Sequence, residues 1–70
     1  MTHHDKVMEI MRRDPSRTYT ASDIAAAIWG EDDRHRRVGT AGRVLLQAQK
    51  YGLVECIGTE NGARLWRLVA

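Results

Sequence analysis

The sequence predicts a small α+β domain that is mostly helical, with three helices, a short strand between the first two, and a C-terminal β-hairpin. Three observations carry that expectation. Two Thr-x-x-Asp patterns, at Thr2/Asp5 and Thr20/Asp23, each stand just ahead of an apolar helical stripe, as helix-capping boxes do. A third helical period follows, with Val38, Ala41, Leu45 and Ala48 on one side and Arg36, Thr40, Arg43, Gln47 and Lys50 on the other. The remainder, after Gly52, changes to the alternation of strands around Asn61-Gly62, a hairpin signal.

The first helix starts at Thr2, presents Val7, Ile10 and Met11, and stops at Asp14-Pro15, because proline pushes the preceding residue out of helical geometry. Thr18-Tyr19-Thr20 is a short strand that adds an edge to the later sheet. The second helix buries Ala21, Ile24, Ala25 and Ile28 and ends at Trp29-Gly30, with glycine as a left-handed cap. The acids Glu31-Asp32-Asp33 suit the positive end of the next helix dipole. That third helix covers about residues 34–51. Gly39 and Gly42 each cost up to about 1 kcal/mol inside it, so either the regular helix begins only near Thr40 or the glycines let a backbone approach closely; a late start or a tight helix–helix contact is the expectation. In the hairpin, strands 53–57 and 63–69 pair Val54 with Leu68 and Cys56 with Trp66 on the inner face, and Glu55 with Arg67 outside. A two-residue Asn61-Gly62 turn inverts that pairing, since a one-residue slip moves every side chain to the other face. A three-residue loop, Glu60-Asn61-Gly62, is therefore expected, with Cys56 facing inward.

Composition narrows the function. Seventy residues, 43% hydrophobic and 29% charged, make one domain spanning 1–70, too small for an effector pocket. One cysteine excludes an intrachain disulfide and fits a reducing compartment. No apolar run is long enough for a membrane span, and Met1 to Lys6 leads into no signal-type apolar stretch, so the expected location is cytoplasmic. No phosphate loop, catalytic constellation or cofactor motif is present, and the expectation is a non-enzyme without cofactor. His3, His4 and Asp5 superficially resemble a metal cluster, but adjacent helical residues diverge by about 100°.

The net charge of +2 is a weak pointer to nucleic acid, but the charge is uneven. No acidic residue lies between Arg34 and Val54. A row of cationic and amide side chains without carboxylates suits a helix against phosphate and base edges. Arg43, with Thr40 and Gln47 beside it, is placed to contact bases or phosphate. Arg34, Arg36 and Arg37 near the helix start, Lys50 near its end, and Arg64 near the hairpin tip are candidate phosphate contacts. Arg67 has a competing use in pairing with Glu55.

The order of elements, with Tyr19-Thr20-Ala21-Ser22-Asp23-Ile24-Ala25 and the run Thr40 to Lys50 closed by Tyr51-Gly52-Leu53-Val54, resembles the winged helix-turn-helix family over nearly the whole chain. The resemblance implies that the third helix enters the major groove of double-stranded DNA and that the 58–64 wing meets the backbone. It implies a small transcription regulator, or a phage or plasmid accessory factor, acting as a homodimer or with a protein partner. The segment from Ile28 to Thr40 is longer than usual in the family, which an extra helical turn or an enlarged loop would accommodate. Arg43-Val44-Leu45, Gly52, Gly58-Thr59 and Leu65-Trp66-Arg67 are also similar to Z-alpha domains, which bind left-handed nucleic acid. Those domains carry Asn and Tyr on the third helix and prolines in the wing. Here the positions hold Gly42 and Leu46, residues 60–64 contain no proline, and only Trp66 matches. The rival function is a protein-interaction module in a larger assembly, with Leu46, Val69 and whichever of Trp29 and Trp66 is exposed as apolar contacts.

Overall fold

Local capping sets the first two helices. The computed structural model describes residues 2–69. Helix α1 runs His3–Arg13 and α2 runs Ala21–Trp29. In each, the threonine before the helix accepts a hydrogen bond from an aspartate N–H, and that aspartate's carboxylate accepts one from the threonine N–H. Such a cap contributes about 1 kcal/mol.

Helix α2 closes on Gly30, whose N–H reaches Ala26 O at 2.9 Å. Gly30 has φ 91° and ψ 163°, so it turns the chain outward instead of taking the expected left-handed helical cap. A 3₁₀ turn, Glu31–Asp33, then runs directly into α3, Arg34–Lys50. The long connection is thus resolved as added helical turns at the front of α3. The expected late start near Thr40 is not found, because the helix passes through Gly39 and Gly42 unbroken. Of the two glycines, only Gly42 sits near another helix: a Cβ there would lie 3.9 Å from Ala21 Cβ.

At its other end α3 closes with a Schellman arrangement. Leu53 N–H reaches back to Ala48 O and Gly52 N–H to Gln49 O, both at 3.0 Å. Gly52 supplies the positive φ of 75° that this geometry needs. The chain is thereby aimed into β1, Val54–Glu60, which pairs antiparallel with β2, Ala63–Leu68.

The hairpin keeps the expected pairs Val54–Leu68, Glu55–Arg67 and Cys56–Trp66, but not the expected loop. Glu60 pairs with Ala63, leaving a two-residue turn in which Asn61 and Gly62 have φ of 53° and 81°, the signs of a type I′ turn. The register survives because the pairing shifts between Cys56 and Gly58. Ile57 is an extra residue on β1, and this β-bulge offsets the one-residue slip that the shorter turn would impose. Tyr19 joins the far side of β2 through two backbone hydrogen bonds with Trp66, of 2.8 and 2.7 Å, so β2 is flanked on both sides and β1 is the open edge.

The core draws on the three helices and the hairpin: Val7, Met8 and Met11 of α1, Tyr19 ahead of α2, Ile24 and Ala25 of α2, Ala41, Leu45 and Ala48 of α3, Val54 and Trp66. Ala21, Ile28, Trp29, Val38 and Val44 pack around it half-buried. Cys56 shares a hairpin face with Trp66 but is exposed, contrary to expectation: it stands on β1, the open edge, whereas Trp66 lies on β2 between β1 and Tyr19. No described helix is long and apolar enough to cross a membrane.

Candidate nucleic-acid interface

The polar stripe of α3 is a continuous surface on the side opposite its core residues. Arg36, Arg43, Gln47 and Lys50 are exposed and Thr40 is half-buried. From Arg36 to Lys50 the stripe is about 21 Å long at 1.5 Å per residue. Arg43, Gln47, Lys50 and Arg64 make no side-chain hydrogen bond or ion pair among the described residues. Their polar groups therefore remain available to a ligand.

The run Arg34 to Arg37 divides. Arg34, half-buried, is held by partners within the chain: its guanidinium lies 3.5 Å from Asp23 and 3.1 Å from Glu31, and it donates to Ser22 O at 3.4 Å. These bonds tie the start of α3 to the start of α2. Arg37 lies over the Trp29 ring, 5.3 Å from its centroid, a cation–π arrangement. Arg36 stays on the stripe, with its side chain 73% exposed and Asp33 at 3.5 Å. Helix geometry sets Arg36 apart, since residue 36 projects about 160° from residue 34 and about 100° from residue 37, whereas 34 and 37 lie about 60° apart and are separated by the partners each one meets.

Arg64 joins the surface from the hairpin. It shares the Trp66 face of β2, because strand side chains alternate with period two. Trp66 is 2% exposed beneath it. Between the hairpin tip and α3 lies an open groove of about 360 Å³, lined by Val38, Gly42 and Leu46 on one side and by Arg64 and Trp66 on the other. No acidic residue lines it. Arg67, by contrast, is committed to Glu55 at 2.7 Å.

Sequence reasoning missed this groove and the place of Leu46 at its edge. A signal was present: Gly39, Gly42 and Leu46 stand at i, i+3 and i+7, on one line of a helix, where two absent side chains leave space beside the third. Among the described residues no group of three or more His, Cys, Asp or Glu is placed to hold a metal ion. His3 instead packs edge-on against Trp29, with ring centroids 5.3 Å apart. Comparison with protein-family models, with curated proteins and with solved structures finds no significant match to this chain.

Proposed function

We propose that this chain is a winged-helix protein that binds double-stranded DNA, with α3 in the major groove and the hairpin tip against the backbone. One observation carries the reading: Arg43, Gln47 and Lys50 on an acid-free stretch of α3, and Arg64 on a groove beside α3 whose lining holds no acid, have no intrachain partner for their polar groups among the described residues. Arg36, Arg43, Lys50 and Arg64 supply the phosphate-facing charge. Thr40, Gln47 and Arg43 are placed to meet base edges. Arg34 and Arg37 act at one remove, by fixing the start of α3. The matching role is a small cytoplasmic transcription regulator or accessory factor that works as a homodimer or beside a protein partner, because one such domain covers few base pairs.

The test is a salt series of duplex binding. Four phosphate contacts give a slope of log affinity against log salt of roughly −3.6, or about a hundredfold weakening from 50 to 200 mM. Arg43→Ala and Arg64→Ala should each weaken binding, and loss of a phosphate contact should reduce the slope by about 1. Absence of binding to any duplex at low salt refutes the reading.

A second reading has its own observation. Leu53, Ile57 and Val69 of the hairpin are exposed, and exposed apolar surface is what a protein-interaction module presents. It predicts that Ile57→Lys or Val69→Lys abolishes capture of a protein partner while Arg43→Ala does not.

A further inference from the structure

We infer that Leu46 is a specificity residue that reads the 5-methyl group of a thymine through the groove between α3 and the hairpin. The inference rests on the DNA-binding reading and adds what that surface selects.

Leu46 is 47% exposed beside the polar stripe, although leucine gains nothing from contact with water. Gly42 and Gly39 stand one and two turns before it on the same line of the helix, and neither has a side chain. A Cβ on Gly39 would meet no atom within 4 Å, so no packing inside the chain accounts for that glycine. The backbone is bare at these two turns, and on the α3 side of the groove Leu46 is exposed where Val38 is half-buried.

Its neighbours on α3 are cationic or amide: Arg43 three residues before, Gln47 next, Lys50 four residues on. Across the groove stands Arg64. A duplex touching both Arg43 and Arg64 has to pass over the groove, and so over Leu46. Arg64 in the lining, Arg43 on the adjoining stripe of α3 and the absence of any acidic residue from the lining favour a polyanion as occupant.

The chemistry of the major groove then limits what Leu46 can meet. Base edges there are hydrogen-bonding groups, except for the 5-methyl of thymine. Leucine satisfies none of the polar edges, and covering one without a partner is unfavourable. Contact with the methyl group buries apolar surface on both sides. The expected result is a preference for a thymine at one position of the site, set beside the base pairs that Arg43 and Gln47 contact.

The experiment begins with selection of duplexes from a random-sequence DNA library by the wild-type chain. Each thymine of a selected duplex is then replaced singly by deoxyuridine, which lacks only the methyl group. Binding is measured for the wild type and for Leu46→Ala, whose folding is checked by circular dichroism. One replacement should weaken wild-type binding about fourfold, the worth of one buried methyl group. Leu46→Ala should bind the two duplexes equally. Duplexes that bind but show no sensitivity to any deoxyuridine, or the same sensitivity in Leu46→Ala, overturn the inference and leave DNA binding standing. Failure to retain any duplex overturns the DNA-binding reading and the inference together.

Discussion

Replacing Gly39 by alanine should make this protein more stable. Gly39 lies in the interior of α3, where glycine is about 0.5–1 kcal/mol worse than alanine because it loses more backbone freedom on folding. The new methyl group meets nothing within 4 Å, and Gly39 is absent from the glycines with positive φ. No steric or conformational penalty therefore offsets the gain. A domain of 70 residues is stabilised in total by roughly 4–10 kcal/mol, so the change is a measurable part of the whole. It corresponds to a rise in midpoint temperature of about 2–8 °C. Urea unfolding followed by tryptophan fluorescence is the direct assay, since Trp66 is buried and Trp29 half-buried. The midpoint should rise by roughly 0.5–1 M with an unchanged slope, taking a slope near 1 kcal/mol per molar for a small domain. Gly42→Ala should behave similarly, since its Cβ would make an ordinary contact with Ala21 at 3.9 Å. An unchanged or lowered midpoint for Gly39→Ala would refute the reasoning, because it would mean that regular helix does not run through this position. In combination with duplex binding the variant is doubly informative: a more stable protein that binds DNA less well is the outcome expected where the bare backbone meets the groove wall.

Other substitutions probe the elements that position the surface. Thr20→Ala removes the cap of α2 and should cost about 1 kcal/mol in urea unfolding, while Thr20→Ser should be close to neutral. Arg34→Ala breaks the link from α3 to Asp23, Glu31 and Ser22 O, a partly exposed network worth at most about 1 kcal/mol. It should lower stability yet leave the salt slope of duplex binding unchanged, and a slope reduced by about 1 would make Arg34 a phosphate contact after all. Asn61→Ala should destabilise the hairpin by about 1–2 kcal/mol, because alanine is strained at φ 53°. Asn61→Gly should be tolerated, and equal tolerance of both would argue against the type I′ turn.

Much of the fold can be read along the chain where structure is local. The two capping boxes need residues three apart and nothing else, and both are formed with the expected partners. The inner pairs of the hairpin followed from keeping Trp66 and Val54 on one face, and that demand was correct. The loop was misread because Asn61-Gly62 and the inner register seemed incompatible. They are reconciled by Ile57, an extra residue whose cost is borne locally by added twist, and no residue type marks it in advance. The front of α3 was placed correctly at residue 34, but its regularity stayed open for a related reason. Glycine at 39 and 42 argued for a late start on propensity, but the helix ahead of them is held by Val38 packing on the core and by Arg34 bonding to α2, and packing overrides propensity.

The candidate surface divides in the same way. The sequence by itself determined that α3 has a polar stripe free of carboxylates, since charge and helical period are properties of the chain. It could not determine which arginines stay free. Arg34, Arg36 and Arg37 are near neighbours of the same type, and their fates differ because Asp23 and Ser22 stand beside the first and Trp29 beside the last. Only the tertiary structure decided that, together with the placement of Arg64 across an acid-free groove from Leu46. The reason is distance along the chain: Leu46 and Arg64 are 18 residues apart, and what brings them to one groove is the packing of Trp66 and Val54 into the core and the turn that Gly52 makes out of α3.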